Sequence, residues 1–180
     1  MSWKIDPAHS QVTFSIRHMM ISNVQGRFEN FSGEVDFNEN DPLKSSVNVK
    51  IEASSINTRD TRRDGHLRSP DFFNAEQFPY LTFISKRIEV VDEHHARIIG
   101  ELTIRDITRE VVLDTEYSGQ SKMWGNTSAG FSASTKINRK NWDLNWNQML
   151  ESGGLLVGED VNINIDLEIV KVADEEKVAS

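Results

Sequence analysis

Residues 96–117, ARIIGELTIRDITREVVLDTEY, decide the fold. Ala96, Ile98, Gly100, Leu102 and Ile104 alternate with Arg97, Glu101, Thr103 and Arg105. After a turn over residues 106–108 the run resumes as Val111, Leu113, Thr115 and Tyr117 against Glu110, Asp114 and Glu116. A period of two, aliphatic on one face and charged on the other, is that of a strand buried on one side only. Two such strands joined by so short a link form an antiparallel hairpin, because parallel neighbours need a crossover of roughly a dozen residues or more.

The same period extends outward from the hairpin in both directions. Val12, Phe14 and Ile16 alternate with Gln11, Thr13, Ser15 and Arg17, and His18 continues the inward parity. Val24, Gly26 and Phe28 share a face before the parity shifts by one to Phe31, Gly33, Val35 and Phe37, which predicts a bulge or corner near Asn30. Val47, Val49 and Ile51 follow the polar NENDP run at 38–42 as the return arm of a hairpin. Residues 80–91 are apolar on both faces, Leu81 and Phe83 on one and Ile84, Ile88 and Val90 on the other, so the pattern leaves the inward face open. Downstream, Ala129, Phe131, Ala133, Thr135 and Ile137 share a face, as do Val161, Ile163, Ile165, Leu167 and Ile169. About eight strands separated by turn signals predict an all-β, antiparallel barrel or sandwich. A single domain over residues 1–172 is expected, followed by a disordered acidic tail at 173–180, ADEEKVAS.

One segment departs from the period. Residues 61–83, TRRDGHLRSPDFFNAEQFPYLTF, read as a short helical insertion between strands 3 and 4, with Thr58 or Asp60 as N-cap and Pro70 as terminator. At helical spacing Arg59, Arg62, Arg63 and His66 share one face, where like charges repel unless an anion faces them. They are the candidate head-group site for a phosphate or carboxylate; the alternative is ion pairing with the chain's own acidic loops.

The chain has 180 residues, 20 basic against 28 acidic, and a net charge of −8, which argues against nucleic acid as a partner. With no cysteine there is neither a disulfide scaffold nor thiol chemistry. The start, MSWKIDPAHS, has no basic leader with an apolar run, and no eighteen apolar residues follow one another. A soluble cytoplasmic protein without stable membrane insertion is expected. Asp6, His9 and Ser10 are neighbours in a lead-in loop without a nucleophile elbow, and His94 and His95 diverge in a turn. No catalytic residue, metal ligand or cofactor is assigned. His18, inward at the end of an apolar strand, is placed to meet a polar head group, or in an enzymatic alternative to act as general base on a lipid.

Small residues recur on the inward faces: Gly26, Gly33, Gly100, Ala129 and Ala133. Inside a closed barrel they leave space that a neighbour or a ligand must fill. Phe14, Phe28, Phe72, Phe73, Phe78, Phe131, Trp142 and Trp146 would make that space apolar. These aromatics with His18, Ala129 and Ala133 form the candidate ligand-binding wall. The alternative is a filled core, with the aromatics themselves occupying the interior.

Several runs together resemble the YceI-like family of polyisoprenoid-binding proteins: DPAHSQVTFSIRHMMISNVQGRF at 6–28, FSGEV at 31–35, DGHLRSPDFFNAEQFPYLTF at 64–83, GELTIRDITREVVLD at 100–114, GFSASTKINRKNWDLNWN at 130–147 and LVGEDVNINIDLEI at 156–169. The resemblance runs in order from Trp3 to about Val170. It implies a lipocalin-like, eight-stranded antiparallel β-barrel with an elongated tunnel for an isoprenoid or other lipid chain. A carrier or storage role is the leading expectation; an enzyme would need a second titratable group converging on His18, and the neighbouring strands offer no obvious inward carboxylate, so no enzymatic activity is expected. Relatives are often dimers, so the resemblance also raises a homodimer. Many relatives carry an export signal, which this start lacks. Where the family usually has Asp-Phe-Gly-Leu, this chain has Asn141-Trp142-Asp143-Leu144, a bulkier ring and a charge beside the barrel.

Overall fold

The computed structural model describes residues 3–172. The tail expected at 173–180 lies outside the described residues. The deciding hairpin is formed by His95–Ile104 and Ile107–Met123, which pair antiparallel from Ile104 opposite Ile107 to His95 opposite Glu116. Eight strands in all follow the chain. β1 comprises Trp3–Ile5 and Gln11–His18, parted by the short turn Pro7–His9; β2 comprises Ser22–Phe28 and Phe31–Asp36; β3 comprises Ser46–Glu52 and Ile56–Asn57. β4 is Tyr80–Val90, β5 and β6 are the deciding hairpin, β7 is Asn126–Asn138 and β8 is Val157–Lys171. Each pairs antiparallel with the next, and β8 returns to both halves of β1, with Trp3 opposite Lys171 and Phe14 opposite Ile163. The result is a closed eight-stranded antiparallel barrel, which removes the sheet edges an open sandwich would leave.

The interruptions have local causes. β2 breaks at Glu29 and Asn30, where the parity shift placed a corner, and Asn30 turns its carbonyl and side-chain amide to Glu52 of β3. In β4 the register shifts between Ser85 and Arg87. Leu81 and Phe83 therefore point inward before the shift and Ile88 and Val90 after it, which explains two apolar faces on one strand. The inner-wall glycines do not open space. The ring of Phe14 lies where a Cβ on Gly26 would go, and that of Phe83 occupies the same place at Gly100.

Between β3 and β4 the chain forms helix α1, Thr61–Arg68. Asp60 caps it, accepting from the backbone N–H groups of Arg62 and Arg63 at 3.1 Å each. Thr58 is not a cap; it is buried, and its backbone N–H donates to Asp64 Oδ1 at 2.9 Å. Arg59 precedes the cap at φ 65°, so it leaves the helical face on which its spacing placed it. One end of the barrel carries the turns near residues 37–45, 91–94 and 124–125. The opposite end carries residues 19–21, α1 with the loop to residue 79, the turn at 105–106 and the segment 139–156.

Candidate ligand cavity

The inward faces enclose a cavity of about 890 Å³ that reaches residues at both ends of the barrel. Aliphatic side chains of every strand wall it, such as Val12, Val49, Leu102, Leu113 and Ile163. Of the wall expected from sequence, Phe14, His18, Phe28, Phe72, Phe73, Phe131, Ala133 and Trp146 line it.

Three expected residues do not line it. Trp142 is 2% exposed and closes the short turn Arg139–Trp142; its indole Nε1 donates to the Leu102 carbonyl at 3.0 Å, so it serves as packing behind the wall. Ala129 is covered by Trp3 and Ile169 in a separate cluster, with Phe37, Tyr117 and Phe131 packed against it. Phe78 ends a turn in which its backbone N–H donates to the Asn74 carbonyl at 2.9 Å, and this turn takes it off the wall.

The two ends carry opposite charge. Arg17, Arg62, Arg63, His66 and Arg139 line the cavity at the α1 end, together with Asp60. Glu39, Asp92 and Glu93 line it at the other, beside His94 and His95. Arg59 is absent from the wall and borders a separate polar depression, because its left-handed backbone turns it from α1. Arg63 is held by Thr58, donating from Nε to Oγ1 at 2.8 Å and from a terminal nitrogen to the carbonyl at 2.7 Å. His66 pairs through Nε2 with Asp71 Oδ2 at 2.8 Å, and its ring meets those of Phe72 and Trp146 edge-on at 5.1 and 4.5 Å. Arg62 is exposed and forms no ion pair among the described residues.

Sequence reasoning missed Arg139. This buried guanidinium donates to four backbone carbonyls, of Gly158 at 2.7 Å, Trp146 at 2.9 Å, Val157 at 3.4 Å and Leu144. Burial pulls its pKa below the ordinary value, and the carbonyls replace the water it gave up. The available signal was parity, since 139 continues the inward series 131, 133, 135 and 137. Outside the barrel, Asp6 caps the Pro7–His9 turn and accepts from His9 Nδ1 at 2.7 Å, which raises the imidazole pKa and lowers that of the carboxyl.

The fold is thus a closed antiparallel barrel around an apolar cavity with charged ends, an architecture whose interior is either filled by side chains or left open to a small ligand. The YceI-like domain matches residues 3–169, and the chain belongs to the YceI-like family. A UPF0312 protein of Staphylococcus aureus is 38% identical over 169 residues, covering 93% of this chain and 96% of its own. The crystal structure of a Campylobacter jejuni YCEI protein superposes with a TM-score of 0.76 at 32% identity, over 87% of this chain and 90% of its own. A polyisoprenoid-binding domain from Saccharophagus degradans, implicated in plant cell wall breakdown, shares the fold at a TM-score of 0.69 and 14% identity, over 93% of this chain and 97% of its own. No helix among the described residues is long and apolar enough to cross a membrane.

Proposed function

We propose that this protein binds a long apolar ligand of the isoprenoid or fatty-acyl class along the barrel axis, as a carrier or storage protein. The observation that carries the reading is the cavity of about 890 Å³, near the upper end of the roughly 300–1,000 Å³ usual for ligand sites, with a wall of aliphatic and aromatic side chains. Each methylene transferred from water to such a wall contributes about 0.8 kcal/mol, so chain length sets affinity. The polyisoprenoid-binding neighbour supports the same ligand class. In this reading the interior is a tunnel, and an anionic head group sits at the α1 end near Arg62, Arg63 and His66. The role is binding without chemistry, so an isoprenoid alcohol incubated with the protein is recovered unchanged. A cytoplasmic setting and a homodimer complete the proposal, tested by fractionation and by sedimentation.

Ala133→Trp tests the reading. Ala133 lines the cavity between Thr115 of β6 and Ile165 of β8. In an open interior the indole takes ligand space, so isoprenoid binding falls sharply while the melting temperature of the lipid-free protein barely changes. In a packed interior the same ring overpacks and destabilises by about 1–3 kcal/mol. A marked loss of stability in the variant, with no isoprenoid binding by the wild type, would reject the carrier.

A further inference from the structure

We propose that the α1 end of the barrel is a docking face for an anionic lipid bilayer, from which the cavity is filled. The purpose of docking rests on the ligand-binding reading above; its occurrence is measured independently.

Two apolar loop tips meet at this end. Ile21 and Met149 are each 77% exposed, with Met19, Met20 and Leu155 also open to solvent. The tips form one patch: Met19 donates its backbone N–H to the Leu156 carbonyl at 2.8 Å, the Met20 side chain lies against Gly154, and Met149 bridges to Leu155. His18 and Leu156, the neighbours of these tips, line the cavity, so the patch borders its mouth. Met19 and Met20 hold φ of 53° and 63° in the His18–Ile21 turn, a left-handed pair that Asn-Gly forms with far less strain. The chain keeps bulky apolar side chains at a position where small polar ones fit better.

Charge selects the occupant. Arg17 donates to the Met20 carbonyl at 3.3 Å, and neither Arg17 nor Arg62 enters an ion pair among the described residues. Asp60 is engaged in capping α1, leaving Glu151 as the acid of the 147–156 segment. A chain of net charge −8 is on balance repelled by an anionic surface, so attraction to one needs a local basic collar such as this. The opposite end also has an apolar tip, with Trp124 92% exposed, but Glu39, Asp92 and Glu93 stand on that rim. Apolar tips within a basic collar fit an anionic bilayer, where insertion and attraction add.

The test is co-sedimentation of the lipid-free protein with vesicles of phosphatidylcholine, alone or mixed with phosphatidylglycerol. Binding to the mixed vesicles, weakened by salt and absent from the neutral ones, is expected. Ile21→Ser with Met149→Ser should reduce it about tenfold or more. Met19→Asn with Met20→Gly relieves the turn and should lower vesicle binding in a protein at least as stable as wild type. Trp124 serves as a reporter of orientation: its share of the fluorescence, read as the difference between wild type and Trp124→Phe, should be quenched by acrylamide equally with and without vesicles. No binding, equal binding to both vesicles, variants that sediment as wild type, or shielding of Trp124 would overturn the proposal. So would a dimer that the Ile21→Ser, Met149→Ser pair dissociates without altering vesicle binding, since a second copy would then be the occupant. Binding of an isoprenoid alcohol in vesicle-free solution is read separately; docking lost with that binding intact contradicts the docking face alone.

Discussion

Asp143 sits at φ 57° just after the Arg139–Trp142 turn, a left-handed backbone that glycine adopts freely and aspartate tolerates better than most residues. Where the family pattern has Gly, this chain thus keeps a backbone conformation that glycine favours. Asp143→Val should destabilise by about 1–3 kcal/mol, whereas Asp143→Gly should stay within about 1 kcal/mol of wild type, both read from thermal melts. At the cavity mouth, Arg62→Gln should weaken an isoprenyl phosphate by roughly fivefold, about 1 kcal/mol for an exposed charge-assisted contact. Binding of the corresponding alcohol should not change, and equal losses for both ligands would contradict a head-group role. On the outer surface, the Asp6–His9 bond raises the histidine and lowers the carboxyl, so the pair stabilises the fold between the two titrations. The histidine share is complete below the ordinary value of 6.5 and is lost as pH rises through the raised one. Asp6→Asn should flatten that alkaline-side decline in melting temperature; an unchanged profile would remove the pair from the stability account. Inward residues such as Phe14 and Phe131 were legible because strand parity alone sets where they point. Arg59 was not, since one left-handed φ removes it from a helical face that spacing had assigned to it.

The barrel strands that could be read without ambiguity are those with long unbroken stretches of the period, β5 and β6 over residues 96–117, β7 over 129–137 and β8 over 161–169; their register shifts, at Ser118 and between Val157 and Val161, fall outside these stretches. β4 was illegible for a definite reason: a single register shift between Ser85 and Arg87 exchanges its faces midway, and one-residue slips leave the composition unchanged. The segment from Arg139 to Val157 was read only as an interruption, because its anchor is a side chain bonded to carbonyls and such bonds have no sequence period. Arg139 fastens the carbonyls of Leu144 and Trp146 to those of Val157 and Gly158 at the start of β8. Arg139→Met should lose about 3–5 kcal/mol, since four carbonyls are stripped of a charged donor in a buried setting. Lys at this position retains the charge without the planar fork and should recover only part of that loss. A variant as stable as wild type in chemical denaturation would show that the segment is held by other contacts.

Closure of the whole molecule depends on β8 serving two halves of β1, Ile5 opposite Ile169 and Val12 opposite Ile165. This long-range pairing brings the two ends of the sequence together and was foreseeable only as a class of topology, since periodicity says which face is buried but not which strand is next. The cavity was legible in its chemistry, apolar and aromatic. Of the two occupants left open for the space beside the inner glycines, it is neighbours that fill it, Phe14 at Gly26, Phe83 at Gly100 and Ile5 with the Asn48 carbonyl at Gly33; the open volume comes from the circumference of eight strands walled by medium-sized side chains. A ligand held there binds the folded state alone, so melting temperature should rise with concentration, by about 2.7 kcal/mol of added stability at one hundred times Kd. Whether the cavity holds a lipid is read by native mass spectrometry of the protein as purified and again after incubation with a long-chain isoprenoid alcohol. One apolar adduct per chain, surviving desalting and lost in Ala133→Trp, is expected; bare protein under both conditions would rule out ligand binding in the barrel.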